Sequence, residues 1–178
     1  VGLALGRREG VIVGAAVINA LHVAGKNIAE VKLATSGAGA AGIACLDMLV
    51  ALGLKPENIL AVDRDGVLYT GRANMDADKQ RYARDTNKRT LADIVAGADV
   101  FLGLSAGGVL KPEMVATMAE RPIIFALANP YPEILPDAAK AVRPDVIIAT
   151  GASRFASSAA RGSSAAIMPT PRTSRSLG

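Results

Sequence analysis

The residues Gly37-Ala38-Gly39-Ala40-Ala41-Gly42 place three glycines in the spacing G-x-G-x-x-G. Gly37 permits a tight strand-to-helix turn, Gly39 leaves the backbone bare for a pyrophosphate, and Gly42 lets the helix pack closely. The N–H groups and dipole at the start of that helix favour a diphosphate. Asp63 follows Gly42 at about the 20-residue distance that suits an acceptor for the adenosine ribose hydroxyls, which favours NAD. Arg64 stands next to it and can meet a 2′-phosphate, which favours NADP. The two residues pull in opposite directions.

Two later loops carry further candidates. Ser105 and Ala106 open a run of small residues, 105–108, where a flat nicotinamide or a ribose could rest against backbone. Asn129 precedes Pro130, and its amide can bond a ribose, a carboxamide or a substrate oxygen. Capping of a turn is the plain alternative for that Asn.

The elements that must hold these residues follow from hydrophobic patterning. Residues 11–24 are apolar on most sides and read as a buried helix. Short apolar runs at 31–36, 59–63, 100–104, 122–126 and 146–150 read as strands. The segment 40–52 reads as a helix ended by Gly53, and Asp65-Gly66 marks a turn before 67–69. A helix is expected within 76–84, whose Asp76, Asp78, Lys79, Arg81 and Arg84 read as a solvated face. Thr90 with Asp93 has capping-box spacing, and Pro112 and Pro136 sit where helices open. This alternation predicts an α/β chain with a doubly wound parallel sheet of the Rossmann type. In such sheets a ligand binds outside the carboxyl ends of the strands, where all the candidates lie.

Composition is that of a globular domain: 51% of the 178 residues are hydrophobic, 20% are charged and Trp is absent. The formal net charge of +4 is misleading. Four arginines, Arg154, Arg161, Arg172 and Arg175, lie in 151–178 without an acid, and removing them from the 20 basic residues balances the 16 acids of the rest. A folded basic face for nucleic acid is therefore not expected. Nor is a membrane span, since Asn19 and His22 interrupt the longest apolar run. Cys45 is single, which rules out an internal disulfide and fits a cytoplasmic location. Cys45 and His22 read as packing residues. The Ser/Ala/Arg-rich stretch 152–178 reads as a disordered tail.

The chain resembles the malic enzyme family across 31–63 (VKLATSGAGAAGIACLDMLVALGLKPENILAVD), 88–93 (KRTLAD), 98–103 (ADVFLG), 126–136 (ALANPYPEILP) and 142–151 (VRPDVIIATG). It looks most like the bacterial NADP-type enzymes with a phosphotransacetylase-like extension. The resemblance covers about residues 11–151, between a divergent segment 1–10 and the divergent tail. It implies oxidative decarboxylation of malate to pyruvate and carbon dioxide, with NAD or NADP and a divalent metal, Mg or Mn, in a homo-oligomer. It places cofactor at Ala38 to Ala41 and at Asn129.

The family's catalytic Tyr and Lys and two of its metal ligands lie in an upstream domain. The third ligand lies in an Asp-Asp-x-x-Gly-Thr stretch, where this chain reads Leu3-Ala4-Leu5-Gly6-Arg7-Arg8-Glu9-Gly10. No catalytic residue and no metal ligand is carried over. The expectation is a truncated fragment that binds cofactor without turnover. The alternatives are a different dehydrogenase, a non-catalytic nucleotide-binding module, and a nucleic-acid binder using the basic tail.

Overall fold

The computed structural model describes residues 2–151, with side chains from Gly10 onward. The expected tail, 152–178, lies outside the described residues. The chain runs α1 (Gly2–Ala24), β1 (Leu33–Ser36), α2 (Ala40–Ala51), a 3-10 turn (Pro56–Asn58), β2 (Ile59–Asp63), β3 (Gly66–Val67) and α3 (Ala77–Gln80). It continues with α4 (Leu91–Val95), β4 (Val100–Gly103), α5 (Pro112–Ala116), β5 (Ile123–Ala126), α6 (Pro136–Val142) and β6 (Ile147–Thr150).

The sheet has six strands in the order β3-β2-β1-β4-β5-β6. Every neighbouring pair is parallel except β2 and β3, because the Asp65-Gly66 turn folds the chain straight back on β2. From β1 the chain first builds outward through β2. It then crosses back to β4 and builds the other way. The switch in winding direction opens a crevice between the carboxyl ends of β1 and β4.

Residues that alternate along the strands feed two separate cores, as the period-2 geometry requires. Leu33, Ile59, Val100, Leu102, Ile123 and Phe125 face α1 and α2. Ala34, Val62, Phe101, Ile124 and Ala126 face α4, α5 and α6. Burial on both faces explains why the strands are short continuous apolar runs. Helices α1 and α2 pack closely because Gly10 and Gly14 leave room for Ala44, Met48 and Leu52. The outer side of α1 still exposes Val11, Ile12, Ile18 and Val23. Among the described residues no helix is long and apolar enough to cross a membrane.

Several boundaries differ from the sequence reading. Helix α1 begins at Gly2, not at 11. The expected helix over 76–84 is only α3, four residues capped by the Asp76 side chain on the Lys79 N–H. Tertiary ties override local periodicity there. The Tyr82 hydroxyl donates to Asp47 at 2.6 Å, and Arg84 donates to the Pro56 carbonyl. The expected strand at 67–69 is two residues long, with Tyr69 in an isolated bridge to Arg84. The Thr90–Asp93 capping box forms in both directions, as its spacing predicts.

Candidate functional site

Strand β1 ends at Ser36, and the chain turns sharply through Gly37 into α2. Gly37 has φ +108°, and a Cβ there would lie 2.6 Å from the Leu104 carbonyl oxygen. Only glycine fits that backbone without strain. A Cβ on Gly42 would lie 1.9 Å from the Gly37 carbonyl oxygen, so the turn closes on itself and the third glycine faces the first. Gly39 differs: nothing lies within 4 Å of where its Cβ would be. It is the N-cap of α2, makes no side-chain cap bond, and no acid follows in the first turn. The start of α2 thus carries no capping side chain, and the space beside Gly39 lies at the positive end of the helix dipole.

That space is a cleft of about 460 Å³ lined by Ser36, Gly37, Ala38, Gly39, Asp63, Arg64, Lys79, Ser105, Ala106 and Val109. The Ser36 and Ser105 hydroxyls hydrogen-bond to each other at 2.6 Å across the β1–β4 crevice. Of the eleven candidates named from sequence, the cleft gathers Gly37, Ala38, Gly39, Asp63, Arg64, Ser105 and Ala106. Ala40 is exposed and Ala41 half-buried on the first turn of α2, Gly42 is buried, and none of these lines the cleft. Asn129 is exposed beyond β5, joined to Pro130 by a cis peptide, and also lies off the lining.

Asp63 is not free to act alone. Its Oδ1 accepts from Arg72 Nη1 at 2.9 Å and from the Asp65 N–H at 3.0 Å. Its Oδ2 accepts from Arg72 Nη2 at 2.6 Å and from Lys79 Nζ at 2.9 Å. A carboxylate offers about four lone-pair positions, and these bonds use them all. Burial alone would raise its pKa. The hydrogen bonds from Arg72, Lys79 and the Asp65 N–H prevail and hold it well below the usual carboxylate range. Arg72 is raised in turn by its bond to Asp63.

Lys79 was expected on a solvated face. Instead its ammonium turns inward to Asp63 with the side chain 24% exposed. Arg81 pairs with Asp47 on both carboxylate oxygens at 2.9 Å, so it too has a defined partner. Sequence reasoning missed Ser36, Lys79 and Val109 as liners and Arg72 as the support behind Asp63. The only available signal was a cluster of cations in a polar stretch shortly after the second strand.

Among the described residues no group of three or more His, Cys, Asp or Glu could hold a metal ion. Near the cleft, Asp63 has its lone pairs committed. Among the described residues the cleft therefore offers no ligand set that fits a divalent metal.

Residues 8–168 match the family model described as malic enzyme, NAD binding domain, a span wider at both ends than the resemblance over 11–151. An NAD-dependent malic enzyme of Rhizobium meliloti (strain 1021) is 59% identical over 146 residues, which is 82% of this chain and 19% of that protein. An NADP-dependent malic enzyme of Haemophilus influenzae is 54% identical over 147 residues, with the same two shares. Among solved structures, an NAD-dependent malic enzyme from Thermotoga maritima superposes with a TM-score of 0.75 at 38% identity, covering 83% of this chain and 40% of that one. The chain thus spans about one fifth of the length of these curated relatives.

Proposed function

Because this chain belongs to the malic enzyme NAD-binding domain family, we propose that its cleft holds a nicotinamide dinucleotide stretched along the carboxyl ends of β2, β1, β4 and β5. The observation that carries this reading is the bare start of α2 opening into the same cleft as Asp63, Arg64 and Lys79. The diphosphate sits against the α2 N–H groups above Gly39. The adenosine ribose meets Asp63, Arg64 and Lys79. The nicotinamide end runs past Ser105 and Ala106 toward Asn129. Strands β2 and β5 are three spacings of about 4.8 Å apart, about 14 Å in all, which suits an extended dinucleotide better than a mononucleotide.

Of the two cofactors, the geometry favours NADP. The lone pairs of Asp63 are already taken, so a ribose diol must displace a donor to bond there. Arg64 is exposed at the same place and Lys79 lines the cleft, so a 2′-phosphate can gain charge-assisted bonds without displacing anything from Asp63. Calorimetric titration of the chain with NADP+ and NAD+ tests both statements. Tighter NADP+ binding is expected, with the preference falling roughly tenfold in Lys79→Gln. Equal affinities that the substitution leaves unchanged overturn the preference, and no binding of either overturns the site.

The reaction belongs to the whole protein. There we propose oxidative decarboxylation of malate to pyruvate, with this chain contributing cofactor binding and part of the active-site wall. When bound, the nicotinamide supplies the hydride acceptor. A cytoplasmic, homo-oligomeric enzyme with a divalent metal held by residues outside those described completes the proposal, on the strength of family resemblance.

A further inference from the structure

The loops that follow β4 and β5 meet at one side chain that the sequence reading passed over. Glu133 is fully buried, at 0% exposure. Its Oε1 accepts the Ser105 N–H at 3.1 Å, and its Oε2 accepts the Ala128 N–H at 3.1 Å. The backbone extends the tie. The Leu110 N–H donates to the Glu133 carbonyl at 3.1 Å, and the Gly108 N–H donates to the Pro132 carbonyl at 3.0 Å.

Small residues make the fit possible. A Cβ on Gly103 would lie 2.3 Å from Glu133 Cδ, and one on Gly107 would lie 2.8 Å from Tyr131 Cβ. Gly107, read from sequence as ligand-facing, thus has a second reason to be glycine, and Gly103 is glycine to make room for Glu133.

Among the described residues no cation pairs with Glu133. A buried carboxyl without such a partner is costly, and an apolar side chain of similar volume would fill the space more cheaply. What the carboxyl does that an apolar group cannot is fix two backbone N–H groups at once. One belongs to Ser105, which lines the cleft, and the other to Ala128, which precedes Asn129.

We infer that Glu133 is a positioning residue that latches the Ser105 and Asn129 loops into one preset surface for the half of the dinucleotide beyond the pyrophosphate. This rests on the dinucleotide reading above. The adenosine half lies against the α2 start and the β2 end, two strands or more away from Ala128. Glu133 therefore governs what the nicotinamide riboside adds to affinity and leaves the adenosine end alone.

The test compares the 178-residue chain and Glu133→Gln, each titrated with NADP+ and with adenosine 2′,5′-bisphosphate. Glutamine keeps the shape and one acceptor, but sets an N–H₂ against one of the two backbone N–H groups. The expected result is a roughly tenfold loss of NADP+ affinity, the worth of one buried hydrogen bond, with the bisphosphate changed less than about twofold. An unchanged ratio between the two probes, whether both affinities fall together or neither does, overturns the inference. An unsubstituted chain that binds neither probe overturns the dinucleotide reading and the inference with it. Amide hydrogen exchange on the unsubstituted chain gives a second reading that no folding defect can confuse. The Ser105 and Ala128 N–H groups should exchange at least about tenfold more slowly than those of Ala106 and Asn129. Fast exchange at both removes the latch.

Discussion

At the scale of single residues, Asp63 shows how position in a sequence can be read correctly and the role read too simply. Its place at the end of β2 followed from the glycine spacing and the apolar run before it. Its saturation by Arg72, Lys79 and the Asp65 N–H did not, because Arg72 and Lys79 sit nine and 16 residues further on, in a stretch without periodicity. Arg72 is 8% exposed, and its Nε is buried without a hydrogen-bond partner. Arg72→Met removes two of the four donors to Asp63, leaving Lys79 and the Asp65 N–H, and should cost about 2 kcal/mol at pH 7, measured by urea unfolding. The sign with pH follows from the lowered pKa of Asp63. Its stabilisation is fully present above the unfolded carboxylate value of about 3.9 and fades as pH falls through the lower folded value. The gap between wild type and Arg72→Met should therefore narrow in acid. A gap of the same size at pH 7 and pH 2 would speak against this pairing.

Elements were the most legible level. Five strands, the helix after the glycine turn, the capping box and both proline-opened helices stand close to where pattern and cap chemistry put them. What misled was the polar stretch from Gly71 to Arg84. The helix expected within 76–84 gave way to ties between Tyr82 and Asp47 and between Arg84 and Pro56, residues distant in sequence. The strand-to-helix turn makes a sharper demand than pattern alone reveals. Gly42→Ala would drive a methyl to 1.9 Å from a backbone oxygen that cannot move aside. It should lower stability by about 3 kcal/mol or more in thermal or urea unfolding, and a variant as stable as wild type would show that the turn is looser than described. Thr90→Ala removes one half of the capping box on α4 and should cost about 1 kcal/mol by the same measurement.

At the scale of the whole molecule, the doubly wound sheet does two things at once. It buries an apolar layer on each face, and it leaves a crevice where the winding reverses, so the fold and the place of the cleft come from the same topology. That much was readable from alternating apolar runs and glycine spacing. The positions of Lys79, Arg72 and Glu133 were not, because each depends on a loop path that only the packed structure fixes. The chain spans 19% of the length of its Rhizobium relative, and the proposed function assigns the groups that do the chemistry to the rest of the whole protein. Supplied with malate, Mg²⁺ or Mn²⁺ and NADP+, it should bind cofactor yet form no reduced nicotinamide. Sustained metal-dependent reduction would refute that division of labour.

The central claim is that a dinucleotide lies across the open start of α2. Gly39→Val addresses it most directly, because the space beside Gly39 is empty and the substitution meets no protein atom within 4 Å of its Cβ. Calorimetric titration of wild type and Gly39→Val with NADP+ should show binding to the first and at least about a hundredfold loss in the second, with the thermal unfolding midpoint little changed. Equal binding by both chains would contradict the account, because the diphosphate would then lie somewhere other than against the helix start.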